Sequence, residues 1–152
     1  MPQRTGTANH IMFIDPHIDP SEDRYKGLET LIESAAGRSP RPLIELHRVC
    51  YRGSGRSRTI LNLDEVEATF RAELGGTLSN VGLSVEVFIW SDFHDRYLIS
   101  NLVGISVPNG FDTTRAADAR TTWTRLGRKD RDGVQREFDP AHHKPRRRFT
   151  IP

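Results

Sequence analysis

Within residues 90–112, WSDFHDRYLISNLVGISVPNGFD, an imidazole and a guanidinium stand two residues apart, at His94 and Arg96. Near neutral pH an imidazole serves as nucleophile or as general acid and base, and a guanidinium is a permanent fork that matches two phosphate oxygens. Together they suit a phosphodiester. HDRYLIS has the composition of a strand, and residues two apart on a strand share a face. His94 and Arg96 are therefore expected to project together while Asp95 and Tyr97 point the other way. Asn101, Ser106 and Asn109 follow, with amide and hydroxyl groups that could orient the histidine or donate to charge developing on a phosphoryl group. His94, Arg96 and Asn101 are the candidate catalytic residues, and Arg96, Ser106 and Asn109 the candidate phosphate binders. A plainer alternative stays open: a His-Asp-Arg run can also be a salt-bridged strand edge with a structural histidine.

Other residues that could do chemistry are more dispersed. Asp15 and His17 lie in the loop DPHIDPSED after a predicted first strand, where loops of α/β proteins commonly line sites. They are candidates for a supporting role or an alternative centre, against a purely structural one. With Asp19 they form a weak metal pattern, and neither a metal nor a cofactor is expected. Arg52, Arg56 and Arg58 in YRGSGRSR, and Lys144, Arg146, Arg147 and Arg148 in the tail HHKPRRRFTIP, could track a nucleic-acid backbone. The alternatives are an exposed connector and a solvated tail. His142 and His143 extend that tail, and Trp123 and Phe138 read as packing residues rather than base-stacking platforms.

The elements that must position these residues are legible from periodicity. Residues 11–14 form a β-branched and aromatic run ending at Asp15-Pro16, a buried strand. Ser21 or Asp23 then caps a helix to about residue 36, with Tyr25, Leu28, Leu31 and Ile32 on one side. Pro40 and Pro42 force an extended entry into LIELHRVCY, a second strand. Asn62 or Asp64 begins a second helix through Val66, Phe70 and Leu74, which Gly75-Gly76 should weaken or break before Leu78. Residues 83–90 read as a central strand apolar on both faces. HDRYLIS and GISVP then suggest an antiparallel hairpin. Beyond residue 113 the chain turns polar, with a helix suggested over 116–126, an extended run over 134–138 and a last edge strand over 147–151. The expected fold class is α/β, a mixed β-sheet flanked by helices.

The bulk composition sets bounds. A chain of 152 residues with 36% hydrophobic content fits one domain: residues 1–9 as a flexible N-terminus and 10–152 as the domain, its specific core over 10–115 and a basic extension over 126–152. Twenty-two basic side chains against 20 acidic ones give a net charge of +2, which alone does not announce a nucleic-acid binder. Cys50 is the single cysteine, so an intramolecular disulfide is impossible and a reducing compartment fits. With no spanning apolar run and no secretory pattern near residue 1, a soluble cytoplasmic protein is expected.

The pattern His94-x-Arg96-x4-Asn101, followed by glycines and by Ser106 and Asn109, resembles the phospholipase D superfamily motif His-x-Lys-x4-Asp with its Gly-Ser-x-Asn-like turn. Arginine stands for the lysine, keeping the charge and changing the reach, and asparagine stands for the aspartate. The wording HDRY, a glycine-containing strand and G-F-D is similar to phospholipase D-like domains with a His-Asp-Arg signature, including the C-terminal domain of an ESCRT-associated MIT-domain protein. Resemblance to that group implies a non-catalytic binding or dimerisation module, and similar short stand-alone domains occur in bacterial mobile and defence loci, where nucleic acid is the usual partner. The resemblance implies a phospholipase D-like α/β sandwich and a metal-independent phosphodiesterase, foremost a nuclease working through a phosphohistidine. A non-catalytic module of a larger complex, with an operon-encoded partner, is the alternative. Because the family mechanism needs two histidines and the chain holds one motif, it also implies a homodimer pairing two His94 residues across a twofold axis. In a monomer the second imidazole would have to be His10, His17, His47, His142 or His143.

Overall fold

Three parallel strands form the middle of the sheet: β1 (His10–Ile14), β2 (Leu43–Val49) and β5 (Val85–Trp90). The computed structural model describes residues 9–111 and 122–152. In register Phe13 lies beside Leu46 and Leu46 beside Val87, with His47 beside Phe88 on the opposite face. Both faces of these strands are buried, as an apolar run without strict alternation requires. β6 (Tyr97–Ser100) joins β1 antiparallel, β7 (Gly104–Ser106) and the short β8 (Thr124–Arg125) continue outward, and β9 (Arg147–Ile151) closes the far edge antiparallel to β5. The order is β8-β7-β6-β1-β2-β5-β9, a mixed seven-stranded sheet. A separate hairpin pairs β3 (Tyr51–Arg52) with β4 (Thr59–Ile60), so YRGSGRSR is an ordered hairpin rather than a loose connector.

Helices α1 (Lys26–Ala35) and α2 (Leu63–Val81) pack together on the sheet face that carries Leu46, Val87 and Phe149. Leu28, Ile32, Phe70, Leu74 and Leu78 are buried there, and Phe70 meets Phe149 edge to face at 6.0 Å. Each such side chain contributes about 1.5–3 kcal/mol by leaving water. The side chain of Asn62 caps α2, accepting from the amides of Asp64 and Glu65, and Gly82 closes it in the left-handed conformation at φ 70. Gly75-Gly76 does not break the helix: capping at both ends and burial of Leu74 and Leu78 outweigh the glycine propensity cost.

On the opposite face, α3 (Arg128–Glu137) covers one end of the sheet. Phe138, just beyond it, meets His47, Trp90 and Phe93 edge to face at 5.4, 5.9 and 4.9 Å. The extended run expected over 134–138 is therefore a helix and its end. Val134 and Phe138 stand four apart on one helical face, and both are buried. The helix expected over 116–126 falls partly on residues 112–121, outside those described, and where described the chain carries β8 instead. The flexible N-terminus likewise lies almost wholly outside. Among the described residues no helix is long and apolar enough to cross a membrane.

Candidate functional site

Because β1, β2 and β5 run parallel, Ile14, Val49 and Trp90 all end at one edge of the sheet, and β6 starts and β7 ends there too. Residues 15–25, 50–61, 91–96 and 107–111 therefore collect along that edge, where open α/β sheets build their sites. β6 begins at Tyr97, so His94 and Arg96 occupy the approach loop and not the strand itself. The hairpin nonetheless reaches back to Arg96, whose carbonyl accepts from the amide of Val107 at 2.9 Å.

His94 is 71% exposed, and its Nε2 stands 3.6 Å from Oδ2 of Asp92, within ion-pair reach but beyond a hydrogen bond. The other oxygen of Asp92 accepts from the Tyr51 hydroxyl at 2.5 Å, and Arg58 approaches it to 3.7 Å while lying 4.3 Å over the Tyr51 ring. The Tyr51 hydrogen bond lowers the Asp92 carboxyl against mild desolvation, with Arg58 and His94 adding to the effect. Burial and Asp92 push the Tyr51 hydroxyl up to about 12. Asp92 is thus an anion held in place behind an exposed imidazole.

Arg96 sits differently. Its Nε lies 3.6 Å from Oδ1 of Asp15, its Nη1 donates to the Pro108 carbonyl at 3.3 Å, and its side chain is 29% exposed. Asp15 is fully buried and accepts from the Tyr25 hydroxyl at 3.2 Å and from the amides of His17 and Phe111, both at 2.9 Å. Burial and the neighbouring carboxylate push the Tyr25 hydroxyl up. Gly110 has φ 61, and a Cβ there would meet Oδ2 of Asp15 at 2.0 Å. The turn can approach the carboxylate only because that residue lacks a side chain. Asp15 is the anchor that binds the turn and Arg96 to the end of β1.

His94, Asp95, Arg96, Tyr97, Ser106 and Pro108 line one concavity of about 340 Å³, so Asp95 and Tyr97, expected to point the other way, border it too, because residues 94–96 are a loop without strand alternation. Of the residues expected to join the pair, Ser106 does so, and Asn109 lies in the adjoining turn. Asn101 does not: it follows the far end of β6, roughly 16 Å of strand from Arg96, where its side chain accepts from the amide of Asn9 at 2.9 Å. His17 lies at the same edge as Arg96. Burial lowers its imidazole, Asp15 opposes the shift, and Arg96, Arg48 and Arg24 reinforce it. Among the described residues no group of three or more His, Cys, Asp or Glu could hold a metal, so Asp15, His17 and Asp19 do not form a centre.

The basic residues divide. Arg58 supports Asp92, Arg52 is 71% exposed at 3.9 Å from Asp19, and Arg56 is exposed. Lys144, with His142 and His143, borders a second concavity of about 550 Å³ that shares Asp92 with the first site, and Arg146 is exposed nearby. Arg147 and Arg148, expected to track a backbone, are engaged across β9 instead: Arg147 reaches Asp64 at 2.6 Å and Arg148 reaches Glu86 at 2.6 Å. Pairing in β9 sends adjacent side chains to opposite faces, each toward an acid. Of the remaining imidazoles, His47 is wholly buried, accepts from Trp90 Nε1 at 2.9 Å, donates to Glu45 at 2.8 Å and stacks on Phe88 at 4.6 Å, while His10 bonds the other oxygen of Glu45. Both are structural.

Spacing alone missed Asp92, Tyr51, Tyr25 and Arg48. Asp92 stood two residues before His94, the one signal available; the others come from elsewhere in the chain. No family model matches the chain, and no curated protein matches it.

Proposed function

We propose that the chain is a phospholipase D-like phosphodiesterase domain that acts on nucleic acid without a metal, as a homodimer. The observation that carries the proposal is an exposed imidazole, His94, backed by the tethered carboxylate of Asp92 and flanked by Arg96 and Ser106 in one concavity at the strand ends. With Nε2 turned toward Asp92, Nδ1 of His94 is the nitrogen left to attack phosphorus. Attack forms a P–N bond as the P–O bond to the leaving alcohol breaks, and His94 of the partner subunit, protonated, gives its proton to that oxygen. Water then attacks phosphorus, the P–N bond breaks, and the same partner imidazole takes the water's proton. Arg96 and the hydroxyl of Ser106 face the phosphoryl oxygens. The α/β sheet with helices on both faces agrees with a phospholipase D-like sandwich.

One observation favours a second reading. Arg96 is already engaged by Asp15 and Pro108, which suits a binding module whose arginine positions the turn rather than the substrate. Hydrolysis of a fluorescent single-stranded oligonucleotide in EDTA separates the two. The enzyme reading expects cleavage that His94→Ala lowers by about 10²-fold or more. Oligonucleotide binding without cleavage by the parent chain, unaffected by His94→Ala and abolished by Arg96→Ala, supports the module.

A further inference from the structure

A second cationic concavity opens farther along the same edge, and the side chain at its floor is unusual. Arg48 is 5% exposed, yet among the described residues it forms no ion pair with a carboxylate. Its guanidinium donates to three carbonyls, those of Ile18 at 2.7 Å, Val49 at 2.8 Å and Tyr51 at 3.3 Å. Carbonyls satisfy donors but carry no net charge, and a guanidinium has five N–H groups, so two donors remain, and the carboxylates of Asp19 and Asp15 act on the cation only through space, against its burial. A buried charge that no carboxylate contacts directly is costly, and an anion that approaches it lowers that cost.

Arg48 borders a cleft of about 330 Å³ whose rim includes His17, Arg24, Arg52 and Ser54. The acids of the rim are already engaged. Glu22 accepts from Arg24 at 2.5 Å, and Asp19 accepts from the amide and hydroxyl of Ser21 at 2.9 and 2.6 Å. Asp19 also stands 3.9 Å from the exposed fork of Arg52, so the rim's two carboxylates are matched by Arg24 and Arg52, and the cation left over is that of Arg48. His17 lines this cleft, lies within electrostatic reach of Arg96 as well as of Arg48 and Arg24, and its ring meets Tyr51 edge to face at 6.4 Å. Tyr51 in turn holds Asp92, behind His94.

We propose that this cleft is a second phosphate subsite, taking a neighbouring phosphodiester of the nucleic-acid strand whose reacting phosphate lies at His94. The inference rests on the phosphodiester reading of the first site and adds that the substrate is a polynucleotide engaged at two phosphates. A lone phosphate monoester would occupy one concavity and leave the other empty.

The test is fluorescence anisotropy of a short labelled oligothymidylate in EDTA across a salt series, with the parent chain, His94→Ala, Arg52→Ser and Arg48→Lys, alongside titration of inorganic phosphate followed through the His17 imidazole resonances. Arg52→Ser should weaken binding by at least about fivefold and flatten the salt slope by about one. Arg48→Lys, which loses the fork, should do the same with an unchanged circular dichroism spectrum; if it unfolds, Arg52→Ser, on an exposed rim, decides alone. Affinities for Arg52→Ser within about twofold of the parent overturn the subsite. If His94→Ala also abolishes cleavage, that result leaves the first site standing. Phosphate that shifts His17 while oligothymidylate does not bind at all overturns the strand proposal and assigns the cleft to a free anion.

Discussion

At His94 the chemistry depends on what stands behind the imidazole. Asp92 is fixed by Tyr51 and Arg58, so Asp92→Asn should keep the Tyr51 contact and remove the charge, lowering the phosphodiester cleavage rate by about tenfold or more with little change in substrate affinity. Steady-state rates with an oligonucleotide substrate check this, and an unchanged rate would remove Asp92 from the site. Gly110 makes the sharper structural test. In Gly110→Ala the new methyl meets Asp15, the Phe111 amide loses its acceptor and the backbone is strained at φ 61. Urea denaturation should show a loss of about 2–4 kcal/mol. His94 and Arg96 were legible as a pair through their side-chain chemistry, a local property, whereas the strand face expected to align them is a loop. Asp92 was not, because its meaning comes from Tyr51, 41 positions away, and Asp15 became an anchor only through Phe111, 96 positions away.

Among the elements, α2 shows where propensity misleads. Gly75 and Gly76 argue for a break, yet Asn62 and Gly82 cap the ends and the apolar stripe continues through them. A Cβ at Gly76 meets nothing within 4 Å, so Gly76→Ala should stabilise the fold by about 0.5–1 kcal/mol, read as a raised urea midpoint. A lowered midpoint would mean that the helix needs the glycine. The parallel strands, the β6–β7 hairpin and the edge strand β9 followed from apolar runs and short turns. α3 did not, since RKDRDGVQREF offers only Val134 and Phe138 as apolar signals, a spacing too sparse to set a period. Asn101 was misplaced for a related reason: its position in a motif says nothing about which end of a strand faces the site.

The whole molecule ties β1 to β2 through a partly buried acid. Burial alone would raise Glu45, but hydrogen bonds from His10 and His47 prevail and hold it well below its ordinary 4.5, at about 2. A carboxylate lowered on folding stabilises the native state above the unfolded value, and that stability is lost as pH falls from about 4.5 toward 2. His47, lowered chiefly by burial, works in the same sense, because below about 6.5 the unfolded chain takes up a proton that the folded imidazole resists. Denaturation between pH 7 and 3 should therefore show stability falling with acid, and Glu45→Gln should flatten the curve below about pH 4.5 by on the order of 2 kcal/mol. An unchanged curve in that variant would dissociate Glu45 from acid sensitivity. The sheet also fixes what one copy can do: one His94 lies at one edge, and the proposed chemistry needs a second imidazole opposite it. The most direct measurement is an alkaline quench during turnover of a 5′-labelled oligonucleotide in EDTA, followed by intact-mass and peptide analysis. The expected result is an alkali-stable, acid-labile nucleotidyl phosphoramidate adduct on His94, absent in His94→Ala. Turnover with no adduct on His94, at a rate that His94→Ala leaves unchanged, would contradict the account.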